Sequence, residues 1–398
     1  MKRPLLFLLS SFLVIFMLAV AIYIPNTLPP YNDFSGMYYA ELALVHGVDI
    51  YDIPNIEKLA LQYTTIPADK FSMPRFLYPP WYVLSAFYLG FLSIDAAATL
   101  WFEINLILLF LSVWFLTDGW DGRARLIAFP LGLIFLPVIG SLVVGQFVFP
   151  LLLGAAILIH ALRKEHVALT TLGAVLLTFK PHLGALMALS VLVYLIASRS
   201  AFGRRALRSI ILAGVFLIVI SFPADPAWLI RYPSLLFGLG SNYGQSESAA
   251  LCKDCANLPV SLSRWLLDGS LPKAVVIALA LLIALSILFF LVRSSLMKRP
   301  DLFLNVALII TMLVSPYLFN YDYILLLIPF AVLWRESNLF QKIIVGVCYL
   351  APTILIAVYG RAGNISLIVA SVIIAALLFL RAKSKVDVPA LASYNTNN

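Results

Sequence analysis

The sequence predicts an all-α protein, a polytopic bundle of about 12 membrane-spanning helices with no soluble domain of any size. Three observations predict it: the composition, the length of the apolar runs and the placement of the basic residues. Hydrophobic residues make up 62% of the chain and charged residues 12%, whereas soluble domains are ~45–50% apolar and ~25% charged. A chain of 398 residues cannot bury that much apolar surface in one water-soluble core. Runs such as 5–24, 100–116, 147–162 and 274–292 have the roughly 20-residue length that crosses a bilayer. The first follows Met1-Lys2-Arg3 but lacks a small-residue cleavage pattern, so it reads as an uncleaved helix.

The basic residues then order the spans. Cytoplasmic loops are rich in Lys and Arg. Here 18 of the 27 fall in seven short clusters: Lys2/Arg3, Arg123/Arg125, Arg163/Lys164, Arg199/Arg204/Arg205/Arg208, Arg293/Lys298/Arg299, Arg335/Lys342 and Arg381/Lys383/Lys385. The formal charge of +8 is therefore a topology signal and not a footprint for nucleic acid. Clusters on one side require an even number of crossings between neighbours. Spans at 4–24, 98–117, 126–142, 147–162, 168–180, 183–198, 209–222, 272–293, 302–315, 319–334, 343–358 and 364–380 satisfy this. The short run 81–92 must then lie in or dip into the outer interface. The expected organisation is a single transmembrane domain over 1–380. Its first outer loop, 25–97, contains interfacial helices, and a second outer loop covers 223–272. A polar cytoplasmic tail follows at 381–398. The expected location is the cell membrane, multi-pass, with both termini cytoplasmic.

This map, drawn from charge and length, places the unusual polar residues on the outer face. They are Tyr31-Asn32-Asp33 after the first span, and Arg75-Phe76-Leu77-Tyr78-Pro79-Pro80 before the interfacial run. Gly145-Gln146 and Lys180-Pro181-His182 lie in tight turns. The last group is Ser315-Pro316-Tyr317, continuing to Asn320-Tyr321-Asp322. Polar groups at the hydrocarbon edge are costly unless they face protein or water, so their convergence predicts one outward-facing cavity. Each residue also has a structural reading. Asp33 suits an N-cap for a helix over 36–45, and Gln146 a cap for the helix that follows it. Lys180 suits a snorkelling position, and His182 a turn hydrogen bond. Asp322 suits an ion pair with Arg231 or Arg361.

Other features carry less. Cys252-x-x-Cys255 fits a small loop-closing disulfide without metal, and Cys348 fits helix packing. His160 and His166 read as structural, and Glu103 as a residue near the outer lip. There is no phosphate-binding Gly loop, zinc-protease helix or nucleophile elbow. No motif calls for a cofactor or a metal, although a divalent ion assisting a phosphate is compatible with these residues.

Taken in order, the motifs resemble the integral-membrane glycosyltransferases of family 87, in the GT-C superfamily. The resemblance rests on Asp33 followed by Tyr38-Tyr39-Ala40 and Gly47-Val48-Asp49-Ile50-Tyr51, then Phe76-Leu77-Tyr78-Pro79-Pro80 and Trp101. Gly145-Gln146, Lys180-Pro181-His182, Ser315-Pro316-Tyr317 and Tyr321-Asp322 complete it. Some family members carry a His shortly after the Ser-Pro turn, where this chain has Asn320-Tyr321-Asp322. The resemblance implies a GT-C-like bundle that moves a hexose from a polyprenyl-phosphate-sugar to an envelope lipid or glycan, with inversion. The characterised members are mannosyltransferases. The implied partners are that donor, that acceptor and membrane lipids. Asp33 becomes the candidate base. Lys180, with Arg75 or His182, becomes the candidate phosphate ligand. Gln146, Tyr78, Asn320, Tyr321 and Asp322 are candidate donor-binding residues. Two rivals stand beside this reading: a transporter or lipid flippase, which needs polar groups along the whole path, and a non-catalytic envelope assembly protein.

Overall fold

The computed structural model describes residues 33–64, 71, 76–237, 258–259, 261, 273–315 and 317–383. The span expected at 4–24, residues Tyr31, Asn32 and Arg75, the Cys252/Cys255 pair and the tail after Lys383 lie outside the described residues. Among the described residues the secondary structure is helical, without a strand.

The first outer segment forms α1 (Asp33–Val45), α2 (Ile53–Tyr63) and α3 (Pro80–Ala86), with a 3₁₀ turn at Phe87–Phe91. The bundle follows as α4 (Ile94–Leu116), α5 (Gly122–Ile134), α6 (Leu136–Val143), α7 (Val148–Lys164), α8 (Val167–Leu177), α9 (Pro181–Ser198) and α10 (Ala201–Ile220). After α11 (Trp228–Phe237) come α12 (Lys273–Arg293), α13 (Pro300–Val314), α14 (Leu327–Glu336), α15 (Leu339–Tyr359) and α16 (Ile365–Lys383). Helices thus occupy each expected interval inside the described residues. Four are long and apolar enough to cross a membrane: 94–116, 181–198, 339–359 and 362–382. A fifth arises if α5 and α6 are one span bent by 60°.

Two intervals are not the continuous helices expected. The run 126–142 breaks at Phe135, whose ψ of 120° is extended. Pro137 follows in the first turn of α6, where it has no N–H to continue the ladder from α5. The run 319–334 opens as a 3₁₀ turn, Asn320–Leu326, before α14 begins. Its start is fixed by the Asp322 carboxylate, which accepts the Phe319 N–H at 3.0 Å.

Helices α7 and α13 are buried on nearly every side, as central helices of a large bundle must be. Close approach of α7 to α8 requires two glycines. A Cβ on Gly154 would sit 2.9 Å from the Gly173 carbonyl oxygen, and one on Gly173 2.8 Å from that of Gly154. The rim is apolar: Leu212, Phe216, Leu282, Phe290 and Val358 are all more than half exposed. Apolar exposure on this scale marks a surface whose solvent is lipid, and the chain is a membrane protein.

The described residues form two hydrophobic cores. The larger fills the bundle. The smaller joins α1, α2, α3 and the start of α4 to Phe147, Phe179 and the 224–232 segment. The two segments expected outside the membrane therefore pack together, tied by Ile50 N–H to Ala224 C=O at 3.4 Å. Arg231 adds ion pairs to Asp49 at 3.0 Å and Asp225 at 3.1 Å. At the far end of α7, α13, α14 and α16 the basic clusters meet. There Arg299 binds Glu336 at 2.5 Å, with Arg335 and Arg381 at 3.3 and 3.6 Å. His160 reaches Asp118 at 3.2 Å near the same end.

Candidate active site

Where the two cores meet, at the end of the bundle opposite those arginines, four separate segments bring polar side chains into one chain of contacts. Asp33 is the first residue of α1. Its segment is docked by the Phe34 N–H on the Val144 carbonyl at 3.3 Å. The turn it meets needs a glycine, because Gly145 has φ +67° and an added Cβ would lie 2.6 Å from the Phe34 Cβ. The Trp101 indole N–H holds the Gly145 carbonyl at 3.1 Å. Gln146 is thereby presented to Asp33, and its amide N–H₂ donates to Asp33 Oδ2.

Lys180 sits in the turn between α8 and α9, 2% exposed. Its ammonium donates to Gln146 Oε1 at 3.1 Å and to Asp322 Oδ1 at 2.5 Å. Asp322 is fully buried. The adjacent Tyr321 donates its hydroxyl to Asp33 Oδ2 at 3.2 Å, and its backbone carbonyl is clamped by Ser141 Oγ at 2.9 Å. The ammonium also lies 5.5 Å from the Tyr321 ring centroid. The order of donors fixes the Gln146 amide: a lysine can only donate, so Gln146 turns its oxygen to Lys180 and its nitrogen to Asp33. Asp33 Oδ2 thus receives two donors, whereas Oδ1 receives none among the described residues.

Asp33, Gln146, Lys180, Tyr321 and Asp322 are therefore brought together. Tyr78 borders them. Its ring packs edge-on against Phe147 at 4.7 Å, and its carbonyl accepts the Tyr51 hydroxyl at 2.6 Å. Burial, with Asp322 and Asp33 nearby, pushes its phenol pKa well above the usual value, so Tyr78 stays a hydrogen-bond donor. His182 is exposed in the first turn of α9. Asn320 is half-buried at the start of the 3₁₀ turn. Neither makes a side-chain hydrogen bond among the described residues.

Several expectations are replaced. Gln146 does not cap α7, which begins without a side-chain cap. Lys180 does not snorkel, and Asp322 pairs with it and not with Arg231. Glu103 is exposed on the same stripe of α4 as Ile107, Phe110 and Trp114. Sequence reasoning missed Ser141, whose hydroxyl gives no motif signal. It also missed Glu41, a fully buried carboxyl in α1 with neither oxygen hydrogen-bonded among the described residues. Its signal was a lone acid in the apolar stretch Tyr38-Tyr39-Ala40-Glu41-Leu42. Burial raises the Glu41 pKa well above the carboxylate range. Among the described residues no three His, Cys, Asp or Glu gather to hold a metal ion.

Comparison with known proteins finds a family model, described as glycosyltransferase family 87, matching residues 76–316. That range includes Gln146 and Lys180 but neither Asp33 nor Asp322. No curated protein and no solved structure matches.

Proposed function

Because the chain belongs to glycosyltransferase family 87 and is a glycosyltransferase, we propose that it moves a hexose from a polyprenyl-phosphate-sugar to an envelope lipid or glycan acceptor. Mannose is the sugar the family resemblance suggests. Asp33 Oδ1 takes the proton of the acceptor hydroxyl as its oxygen forms the new bond at the anomeric carbon. The bond from that carbon to the phosphate oxygen breaks, and its electron pair leaves with the polyprenyl phosphate. One displacement inverts the anomeric centre. The observation that supports this reading is the environment of Asp33: one oxygen is held by Tyr321 and Gln146, and the other has no partner among the described residues.

Lys180 has three N–H donors and spends two on Gln146 and Asp322, which leaves one for the leaving phosphate. Asp33 and Asp322 against Lys180 give the cluster a formal charge of −1, so a further cation is needed beside a phosphate. Arg75 is the candidate cation, with His182 as a neutral hydrogen-bond donor to the same phosphate. Tyr78 and Asn320 supply neutral donors for the sugar. The topology that goes with this has 12 spans, cytoplasmic termini and the site facing outward, with an isoprenoid chain that stays in the bilayer.

The experiment is incubation of purified protein with labelled polyprenyl-phosphate sugars and a membrane extract, followed by the anomeric configuration of the product. Transfer with inversion supports the proposal. Transfer only from a nucleotide sugar, or with retention, overturns it.

A further inference from the structure

At the opposite end of the bundle the charges do not balance. Arg299, Arg335 and Arg381 all lie within 4 Å of Glu336, at 2.5, 3.3 and 3.6 Å. Asp301 adds one more carboxylate, 3.9 Å from Arg299. Arg163, at the end of α7, brings a fourth guanidinium. It is half-buried, donates only to its own helix at Ile159 C=O, 3.2 Å away, and forms no ion pair among the described residues. Burial and the nearby Arg335 both disfavour its charge, while Asp301, Asp118 and Glu336 favour it. Four guanidiniums thus face three carboxylates, Glu336, Asp301 and Asp118, and one positive charge is left over. The C-termini of α7, α14 and α16 offset part of the excess, but a helix end offers carbonyls, not a further anion for the Arg163 and Arg335 forks.

The surroundings point to what supplies that anion. Trp334 is 42% exposed beside Arg335, and Lys342 lies 5.7 Å from its ring centroid. Exposed Trp beside Lys is characteristic of the headgroup level of a membrane. Leu339 and Phe340, at the start of α15, are 75% and 70% exposed and offer an apolar wall next to the arginines. We propose that Arg163 and Arg335 bind the phosphate of an anionic phospholipid, with its acyl chains lying along Leu339 and Phe340. Guanidinium forks suit a phosphate bidentately. The site is separate from sugar transfer and does not depend on it.

The test uses the full-length protein in vesicles of phosphatidylcholine alone and of phosphatidylcholine mixed with phosphatidylglycerol. Native mass spectrometry reads the lipid retained, and melting reads stability. Wild type should retain phosphatidylglycerol in preference and melt higher when it is present. In Arg163→Gln/Arg335→Gln the preference should fall on the order of tenfold or more. Its melting temperature in phosphatidylcholine should hold or rise, because a like-charge contact is gone. Arg163→Lys, which keeps the charge but loses the fork, should fall between the two. No preference in wild type overturns the proposal, and so does a double variant that keeps it. Soluble glycerol phosphate reproducing the gain in phosphatidylcholine alone would overturn a lipid as the ligand.

Discussion

Lys180 lies 2.5 Å from Asp322 with both side chains closed to solvent, so removing either alone strands a charge. Breaking a buried pair costs about 3–5 kcal/mol. Lys180→Ala should therefore melt well below wild type, and adding Asp322→Ala should restore most of the stability without restoring transfer. Lys180→Arg should keep part of the transfer, since charge is retained and geometry altered. Melting and turnover per folded molecule, measured on the same preparations, separate the two effects. Recovery of both by the double variant would make the pair purely structural. Glu41 gives a prediction of another kind. Its folded pKa is raised, so the stability it contributes is full below the ordinary carboxylate pKa of ~4.3. That stability is lost as pH climbs toward the folded value. Glu41→Gln should flatten this decline, and its advantage over wild type in melting temperature should grow from acid to alkaline pH. Parallel curves for the two proteins would contradict that.

Turns decide where the site residues point. The sequence singles out Gly145-Gln146 as polar residues between helices, yet it does not show why the glycine is there. The reason is a partner more than a hundred residues earlier in the chain, the Phe34 Cβ. Gly145→Ala adds a left-handed strain of roughly 1–2 kcal/mol to a contact 2.6 Å long. Asp33 should then shift from Gln146, and since about 1 Å of misplacement costs ~10²-fold, transfer should fall more than stability explains. Unchanged turnover per folded molecule would show that this docking does not position Asp33. The breaks at Phe135 and Asn320 escaped the reading for a similar reason. Hydropathy registers apolar length, but not a proline that withholds a donor or a carboxylate that takes a backbone N–H.

Across the whole molecule, charge placement was the most legible feature. Arg163, Arg299, Arg335 and Arg381, assigned to one side by counting crossings, meet at one end, and Asp33, Gln146, Lys180 and Asp322 meet at the other. The outer core was not legible, because pairs such as Arg231–Asp49 join segments with no shared local pattern. The same charge placement predicts the orientation in the membrane. Cysteines at Ser200 and Ser294 should react with an impermeant reagent only from the cytoplasm, and one at Ser246 only from outside. Labelling of Ser200 and Ser246 from the same side would sink the map.

The central claim is that Asp33 is the base and that the surrounding contacts serve it. Asp33→Asn keeps the size of the side chain and an oxygen for Tyr321 and Gln146 but cannot take the acceptor's proton. The measurement is sugar transfer per folded molecule for wild type and Asp33→Asn, with melting temperatures on the same samples. The account predicts a loss of at least ~10²-fold at an unchanged melting temperature. Transfer at the wild-type rate by folded Asp33→Asn would contradict it.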